Sequence, residues 1–376
     1  MFPFFWRKGK KSISLQSLNY TLQSINRMRR IICFLFLIVL MVGCSKDEVT
    51  PEVDTAPEVD TAPEVDTSGA ILFTASRPSS YITRRMIENV EALQSAGFGV
   101  FAYYTGASDW STAGASTIPN FMYNQQVTWA SEQWTYSPVK YWPNNNYPAD
   151  DSGATGSESK NYLSFFAYAP YKTNEVTYIT GFSANDVAGA PTINYTWGAE
   201  NDLLYAAQTD RYKYDDSDDA NDNGRIGETV LFNFRHALCK VQFKVRRSNS
   251  SHTVSLKSLS VSFNNTATFN LGSATWSLYG GSGSNDFPAS LFPINVTAEK
   301  EEEAHAVGSP IMLIPGSFTN YNVTYTVGGS EFTHTAAPFE SGLIPSSGAS
   351  GCQYTIIFTI DGDAIKVDRN RFTEQW

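Results

Sequence analysis

Side chains able to bind a metal ion alternate along one polar stretch of the sequence. Asp219, Asn221 and Asn223 stand at every second position, and Gly224 follows them. This order matches the opening of a calcium-binding loop, in which carboxylate and carboxamide oxygens surround the ion and glycine permits the sharp turn. The twelfth position of such a loop is Val230 instead of a bidentate glutamate. A hydrated acidic loop between strands is therefore the preferred interpretation, with Ca²⁺ as the alternative and no other cofactor expected.

Residue types that could support catalysis are present but scattered. The four histidines lie far apart in the sequence, at His236, His252, His305 and His334. The sequence contains no His-Glu-x-x-His, no phosphate-binding loop and no Gly-x-Ser-x-Gly. His236 adjoins a strand-like segment, where we expect a packed or capping side chain. The sequence therefore predicts a protein that is not an enzyme.

Cys44 is placed for covalent modification by lipid. Arg29 and Arg30 precede an uninterrupted apolar run, and Gly43 stands directly before the cysteine. This arrangement is typical of a bacterial secretory signal, because the run is shorter than the roughly 20 residues that span a bilayer. It resembles a lipobox, in which the thiol is acylated and the chain is cut before it. We predict a signal peptide over residues 1–43, with Met28 as the preferred start. A signal anchor that merely contains a cysteine is the alternative.

A polar tether over residues 44–69 follows this cysteine. Ser45–Glu48 resembles the acidic export signal by which lipoproteins of Bacteroidales reach the outer face of the outer membrane. The hexad Pro51–Ala56 then repeats twice, with proline and acidic residues but no aromatic residue. Such a segment buries too little apolar surface to offset the entropy of ordering, so we expect an extended spacer. Its Asp-Thr-Ala triplets also resemble a bacterial O-glycosylation motif, and glycosylation stays open.

From Ile71 onward the sequence is typical of a folded, strand-rich protein. Hydrophobic residues make up 42% of the chain and aromatic residues 14%, while charged residues make up only 17%. Aromatic and β-branched residues favour strands. The net charge of −10 argues against a nucleic-acid partner, and no second apolar run indicates a membrane span. About 300 residues exceed what one core usually holds, so two domains are expected.

Short strand-like segments separated by Pro, Asn, Gly and Ser fill this part of the chain. Phe98–Tyr104 is apolar nearly throughout and is predicted to be a central strand, whereas Met86–Ser95 is left open between a helical turn and an irregular strand. Apolar residues at every second position from Ala237 to Val245 indicate a strand with one buried face. Many short strands without a convincing helical pattern predict an all-β fold of sandwiches or barrels.

Two cysteines fall within this folded part, too few for a disulfide scaffold. Cys239 and Cys352 both lie on the apolar side of predicted strands. We therefore expect them in one core, as two buried free thiols in preference to one disulfide.

Four ordered motifs are similar to those of the fimbrillin family of Bacteroidales, the type V pilins and their accessory subunits. The motifs are Trp134–Asn144, Leu163–Tyr171, Asp202–Ala206 and Val230–Lys240. The resemblance extends from Ile71 to the C-terminus. It implies two transthyretin-like β-sandwich domains in tandem, which we place at residues 70–235 and 236–376. It also implies export as a lipoprotein and assembly with other fimbrillin subunits by donor-strand exchange.

In polymerising members of that family, an arginine-specific protease removes the first strand and a neighbour's C-terminal strand replaces it. Here the first strand is predicted at Ile71–Ala75, ahead of three arginines. Arg77 precedes a proline and is a poor cleavage site, so the resemblance places processing at Arg85 first and Arg84 second. The alternative is an uncut anchor or tip subunit.

The C-terminal segment is a strand candidate after the Asp361–Asp363 turn. Ile365 and Val367 alternate with charged residues, and an aromatic residue ends the chain. In a stalk subunit Ile365, Val367 and Phe372 would fill the groove of a neighbour. The short turn favours instead a hairpin with Tyr354–Ile360, and hence a tip or accessory subunit.

The preferred functional hypothesis is a surface fimbrial subunit of the outer membrane that mediates adhesion to an unidentified receptor or glycan. The alternative is a glycan-binding lipoprotein of a polysaccharide-uptake system, which has the same signal, tether and β-sandwich modules. Four aromatic residues between positions 134 and 142 could form a glycan platform, although such residues more often fill a core. They are Trp134, Tyr136, Tyr141 and Trp142.

Overall fold

The structure is a computed structural model that describes residues 69–76, 89–143, 161–199, 201–212, 229–249 and 251–375, with residues 371–375 described by their backbone. Strands dominate these residues. In chain order the strands are β1 (Leu72–Ser76), β2 (Phe98–Gly106), β3 (Met122–Ala130), β4 (Gln133–Thr135), β5 (Tyr162–Ala169), β6 (Ile179–Phe182), β7 (Thr192–Thr196), β8 (Leu204–Arg211), β9 (Thr229–Asn233), β10 (Arg235–His236), β11 (Cys239–Arg247), β12 (Val254–Phe263), β13 (Thr266–Asn270), β14 (Thr275–Gly280), β15 (Gly283–Asp286), β16 (Ile294–Val296), β17 (His305–Leu313), β18 (Phe318–Val327), β19 (Ser330–Pro338), β20 (Cys352–Asp361) and β21 (Ala364–Gln375). The expected all-β class is therefore confirmed.

Two short helices occur in the described residues, α1 (Val90–Ala96) and α2 (Trp110–Ala113). Asn89 caps α1, because its side-chain oxygen accepts a hydrogen bond from the backbone N–H of Ala92 at 2.6 Å. Gly97 ends the helix with a φ of 62°. A side chain at this position would also meet the carbonyl oxygen of Val127 at 2.9 Å. The segment Met86–Ser95, for which the sequence allowed either a helical turn or an irregular strand, is thus helical from Val90 onward.

The longest sheet has the strand order β10-β8-β5-β2-β3-β4. Its central strands β2 and β5 are buried on both faces, as their apolar sequences predict. Alternation sends Phe98 and Phe165 to one face and Phe101 and Phe166 to the other. Two separate hydrophobic cores therefore lie against the same sheet, one on each face.

One of these cores lies between the long sheet and a two-stranded parallel sheet formed by β1 and β9. Alternate residues of both short strands point into it, namely Phe73 from β1 and Val230 and Phe232 from β9. We call the whole core between the long sheet and this two-stranded sheet the first core. Because β1 and β9 are far apart in the sequence, this core is complete only after β1 has paired with β9.

The core on the opposite face is covered by a sheet of order β14-β13-β7-β6. This sheet combines β6 and β7 with the hairpin of β13 and β14, and β13 pairs with β7 in antiparallel register. Strands from both sides of the expected boundary at residue 235 therefore belong to one sheet. The division into domains at 70–235 and 236–376 stays a prediction.

Two further sheets enclose a third core, with orders β17-β11-β20-β21 and β15-β12-β18-β19, and β16 also pairs with β12. In β11 the alternation expected from the sequence is present, since Cys239, Val241, Phe243 and Val245 are buried. Parallel pairing joins β11 to β20, while β20 forms an antiparallel hairpin with β21. The residues from Asp66 to Trp376 form one compact unit. In the described residues, helices are too short or too polar to cross a bilayer.

Candidate functional site

The first strand fills a groove lined with aromatic side chains. Ile71 is completely buried just before β1, and Phe73 is 5% exposed. The ring of Phe73 stacks on Phe232 with centroids 5.6 Å apart and meets Phe98 edge-on at 6.3 Å. It also contacts the rings of Tyr136 and Phe165. One side chain of β1 thus contacts four rings of the first core, and we call this site the β1 groove.

Main-chain hydrogen bonds hold both ends of β1. At the start of the strand, the Ile71 N–H donates to the carbonyl of Lys140 at 2.9 Å, and the Tyr136 hydroxyl donates to the carbonyl of Ile71 at 2.8 Å. At its end, the Phe234 N–H donates to the carbonyl of Ser76 at 2.9 Å, and the Ser76 hydroxyl donates to Asn233. These bonds do not depend on the side chains of β1 except at Ser76.

The opposite face of this small sheet is open. Leu72 and Leu231 are 45% and 42% exposed. A strand that inserts alternate side chains into a groove, and bonds through its main chain on the way, has the geometry used in β-strand addition. The arrangement can therefore accept a strand, and here the strand comes from the same chain.

The aromatic run that could have formed a glycan platform belongs mostly to the wall of the β1 groove. Trp134 and Trp142 are buried, and their rings contact Phe98 at 4.8 Å and Phe165 at 5.9 Å. Tyr136 is half-buried, and burial raises its pKa above the ordinary value. Only Tyr141 of the four is largely exposed, at 47%. The interpretation of this run as core is the one that the structure supports.

The C-terminal segment pairs within its own chain. From Tyr354 to Asp361, β20 is in continuous antiparallel register with β21, which begins at Ala364. Ile365 and Val367 pack against the third core. Arg369 donates hydrogen bonds to the carbonyls of Gly342 and Leu343. The backbone of Phe372 pairs with Gln353 in the same register, and the irregularity lies beyond this pair, between Gln353 and Cys352. The candidate donor residues Ile365 and Val367 therefore contact their own core, in the hairpin that the sequence favoured.

His236 is a buried structural residue, as expected. Its Nδ1 lies 3.0 Å from Oδ1 of Asp202, which also accepts a hydrogen bond from the backbone N–H of Leu203. The following residue, Ala237, donates its N–H to the carbonyl of Leu203 and accepts a bond from the indole of Trp276. The pair thereby joins the end of β10 to the segment just before β8.

Cys239 and Cys352 are both buried cysteines in adjacent strands of the third core. The thiol of Cys239 donates to the carbonyl of Leu313 at 3.3 Å. Burial raises its pKa well above the ordinary value, which disfavours the reactive thiolate. The positions agree with the expectation of two buried cysteines in one core.

Several sites predicted from the sequence lie outside the described residues. These are the lipidation site Cys44, the processing sites Arg85 and Arg84, and the calcium candidates Asp219, Asn221 and Asn223. In the described ranges, histidine, cysteine and carboxylate side chains form no group of three or more that could hold a metal ion. The roles that the sequence suggests for these six residues therefore stay predictions.

The aromatic lining of the β1 groove was not identified as a site from the sequence. Phe98, Phe165 and Phe232 each occupy a core position of a strand, and their sequence pattern indicates burial without indicating which strand covers them. The signal that was available is the alternation of Val230, Phe232 and Phe234, apolar residues at every second position just before β10. This alternation predicted a buried face but did not identify the strand that packs against it.

The fold and this groove define an all-β protein whose first strand is inserted among aromatic residues. A sequence profile described as fimbrillin-like matches residues 83–370. The match extends over most of the chain, and the chain belongs to the fimbrillin-like family, a family of fimbrial and cell-adhesion proteins.

Two known proteins illustrate the relationship. Fimbrium subunit Fim1C of Phocaeicola vulgatus is 33% identical over 155 residues, which are 39% of this chain and 35% of that protein. The match thus spans about a third of the length of this curated relative. The crystal structure of a fimbrial protein from Bacteroides vulgatus ATCC 8482 aligns with a TM-score of 0.52 at 24% identity, over 82% of this chain and 99% of that one. This second likeness concerns the fold.

Proposed function

We propose that this protein is a fimbrial subunit of the bacterial surface, which reaches the outer membrane as a lipoprotein acylated on Cys44 and joins other fimbrillin subunits by strand exchange once β1 has been removed. The observation that carries the proposal is the β1 groove. Its lining is aromatic, and its occupant is a short strand that follows the tether and precedes Arg84 and Arg85.

A tip or accessory role, rather than a stalk role, is supported by the C-terminal hairpin. A donated strand must leave its own sheet, and β21 is paired over its length with β20. Withdrawing it would also remove Ile365 and Val367 from the third core. A subunit that receives a strand without donating one fits the end of a fimbria.

The proposal includes two transthyretin-like sandwiches in tandem. It is supported by the separate first and third cores, each enclosed between two sheets. The sheet of β6, β7, β13 and β14 would then join the two sandwiches, since it takes one hairpin from each half.

The test is to isolate fimbriae from cells that express the chain, and to determine whether it co-purifies and where its N-terminus lies. We expect immunogold label on fimbriae. An N-terminus at an acylated Cys44 would mean that β1 is retained, and one at Met86 would mean that a neighbour's strand has replaced it. Absence of the chain from fimbriae would contradict the proposal.

The Cys44→Ala variant provides the matched control for anchoring. Because the lipid is the proposed anchor, we expect this variant to lack fatty-acid label and to be missing from the cell surface. Normal labelling of the variant would refute lipidation at this residue.

A further inference from the structure

A shallow, open cleft lined by polar and aromatic side chains lies on the face of the long sheet opposite the β1 groove. It has a volume of about 530 Å³, within the range of small-molecule sites. Its walls come from β3, from the segment after β5 and from the end of β6. They include the carboxamides of Asn124, Gln126 and Asn174 and the rings of Tyr171 and Phe182.

The buried side chain of Tyr168 lies behind the cleft and contacts three of the residues that line it. Its ring packs against Phe182 at 5.1 Å and against Tyr171 at 6.5 Å. Its hydroxyl donates to Oδ1 of Asn124 at 2.7 Å and accepts a hydrogen bond from the backbone N–H of Lys172 at 3.3 Å. Burial raises the pKa of this hydroxyl, which stays protonated and able to donate. The buried hydroxyl of Tyr168 thus connects β3 to the segment that follows β5.

The ring of Tyr168 needs the glycine that lies across from it. A side chain on Gly99 would come within 2.2 Å of the Tyr168 ring. Since β2 and β5 pair Gly99 directly with Tyr168, any larger residue at position 99 would displace the ring. The position of this buried ring is therefore specified by two residues in adjacent central strands.

The carboxamides around the cleft retain hydrogen-bonding capacity. The oxygen of Asn124 is engaged by Tyr168, which directs its amide nitrogen, a donor, toward other partners. The residue has a φ of 47°, a conformation that asparagine tolerates better than most residues. Within the described part of the chain, the side chains of Gln126 and Asn174 make no hydrogen bond to another residue. Donors and acceptors are thus available beside two aromatic rings.

This combination matches the chemistry of a saccharide. Neutral amides can donate to and accept from vicinal hydroxyl groups at the same time, and aromatic rings cover the C–H faces of a sugar ring. The lining contains one charged group, the ammonium of Lys172, and no carboxylate. A phosphate-rich ligand would call for several cations, and a purely apolar ligand would leave the amides unpaired.

We propose that this cleft, which we call the amide cleft, is a saccharide-binding site through which the protein attaches to a glycan. The proposal rests on the adhesive role proposed above and gives that role a ligand class and a location. Gln126 and Asn174 bind hydroxyl groups, Tyr171 and Phe182 bind the apolar faces of the ring, and Lys172 favours saccharides that carry a carboxylate.

The test uses the purified full chain and an array of immobilised oligosaccharides, some neutral and some carboxylate-bearing. We expect the wild type to bind a defined subset. The Gln126→Ala/Asn174→Ala variant is expected to bind that subset about tenfold or more weakly, since each side chain loses its hydrogen bonds to the ligand. We expect Lys172→Ala to lose the preference for carboxylate-bearing members. Asn295→Ala removes an exposed amide from β16 and is expected to bind as the wild type does.

Two results would overturn the proposal: no binding to any oligosaccharide, or binding that the amide-cleft variants leave unchanged. Gln126 and Asn174 are exposed, so their substitution leaves the cores intact. Immunogold labelling of the same variants separates the two proposals. Variants that enter fimbriae but do not bind saccharide would support both the fimbrial function and the saccharide site. A chain that binds saccharide but is absent from fimbriae would contradict the fimbrial function alone.

Discussion

Phe73 shows how one side chain of β1 contributes to the stability of the first core. Because its ring is buried among four others, Phe73→Ala leaves a cavity and is expected to lower the free energy of unfolding by about 3–5 kcal/mol. The measurement is equilibrium unfolding in urea.

The matched control is the neighbouring residue on the opposite face of the same strand. Leu72 is 45% exposed, so Leu72→Ala should cost well under half as much as Phe73→Ala. Equal losses from the two substitutions would contradict the alternating burial of β1.

The thiols of Cys239 and Cys352 should react only in the unfolded protein. Both side chains are buried, and burial raises the pKa of the Cys239 thiol, so the native protein offers little thiolate to an alkylating reagent. We expect two additional reactive thiols in denaturant, counted by difference from the Cys239→Ser/Cys352→Ser variant. A difference of zero in denaturant would show a disulfide and refute the prediction.

Among the elements, the C-terminal strand β21 is the one whose removal is most informative. Deleting residues 364–376 uncovers one edge of β20 and removes Ile365 and Val367 from the third core, so we expect the second half of the chain to unfold. Circular dichroism and limited proteolysis measure this loss. An intact, soluble monomer that no longer enters fimbriae would instead identify β21 as a donor strand.

A pair of double variants gives a finer comparison within the same strand. Ile365→Ser/Val367→Ser changes the side chains that pack against the core, whereas Lys366→Ser/Asp368→Ser changes charged residues whose side chains form an exposed ion pair. The first variant should be clearly destabilised, and the second should differ little from the wild type, because exposed ion pairs contribute little.

Elements with a strong local pattern were predictable from the sequence, whereas pairing partners distant in the sequence were not. The alternation in β11 and the apolar run of β2 each identify a strand and its buried face. The hairpin of β20 and β21 was also predictable, because a short turn leaves little choice of partner. The parallel pairing of β1 with β9 joins segments far apart in sequence, and periodicity carries no information about such a pair.

The amide cleft illustrates the same limit for sites. Asn124, Tyr168 and Asn174 lie on three different segments, and each has an ordinary sequence environment. Their proximity depends on the pairing of β2 with β3 and β5 and on the conformation of the segment after β5. A site assembled by tertiary contacts has no contiguous sequence motif, so it cannot be recognised from the sequence alone.

The whole molecule should lose stability at alkaline pH. Burial raises the pKa of Tyr279 and of Tyr325 to about 12 in the folded state, from an ordinary value of 10.0. Above about pH 10 these tyrosines ionise in the unfolded chain while remaining protonated in the folded one, which favours unfolding. Their stabilising contribution is present below pH 10 and is lost as the pH rises to about 12. Urea midpoints at pH 8, 10 and 11.5 measure this decline, and a constant midpoint would contradict it.

The sheet of β6, β7, β13 and β14 also sets the order in which the chain can fold. Asn194 and its hydrogen-bonded partner Thr268 are separated by 74 residues. A chain that emerges from its N-terminus first therefore presents the hairpin of β6 and β7, with Ile193 and Tyr195 on its apolar face, before β13 exists to pair with it. During that interval the open edge of β7 is a site for wrong pairing and aggregation. We therefore expect the nascent chain to need protection at this edge during synthesis, and a chaperone that recognises extended apolar segments would bind this hairpin.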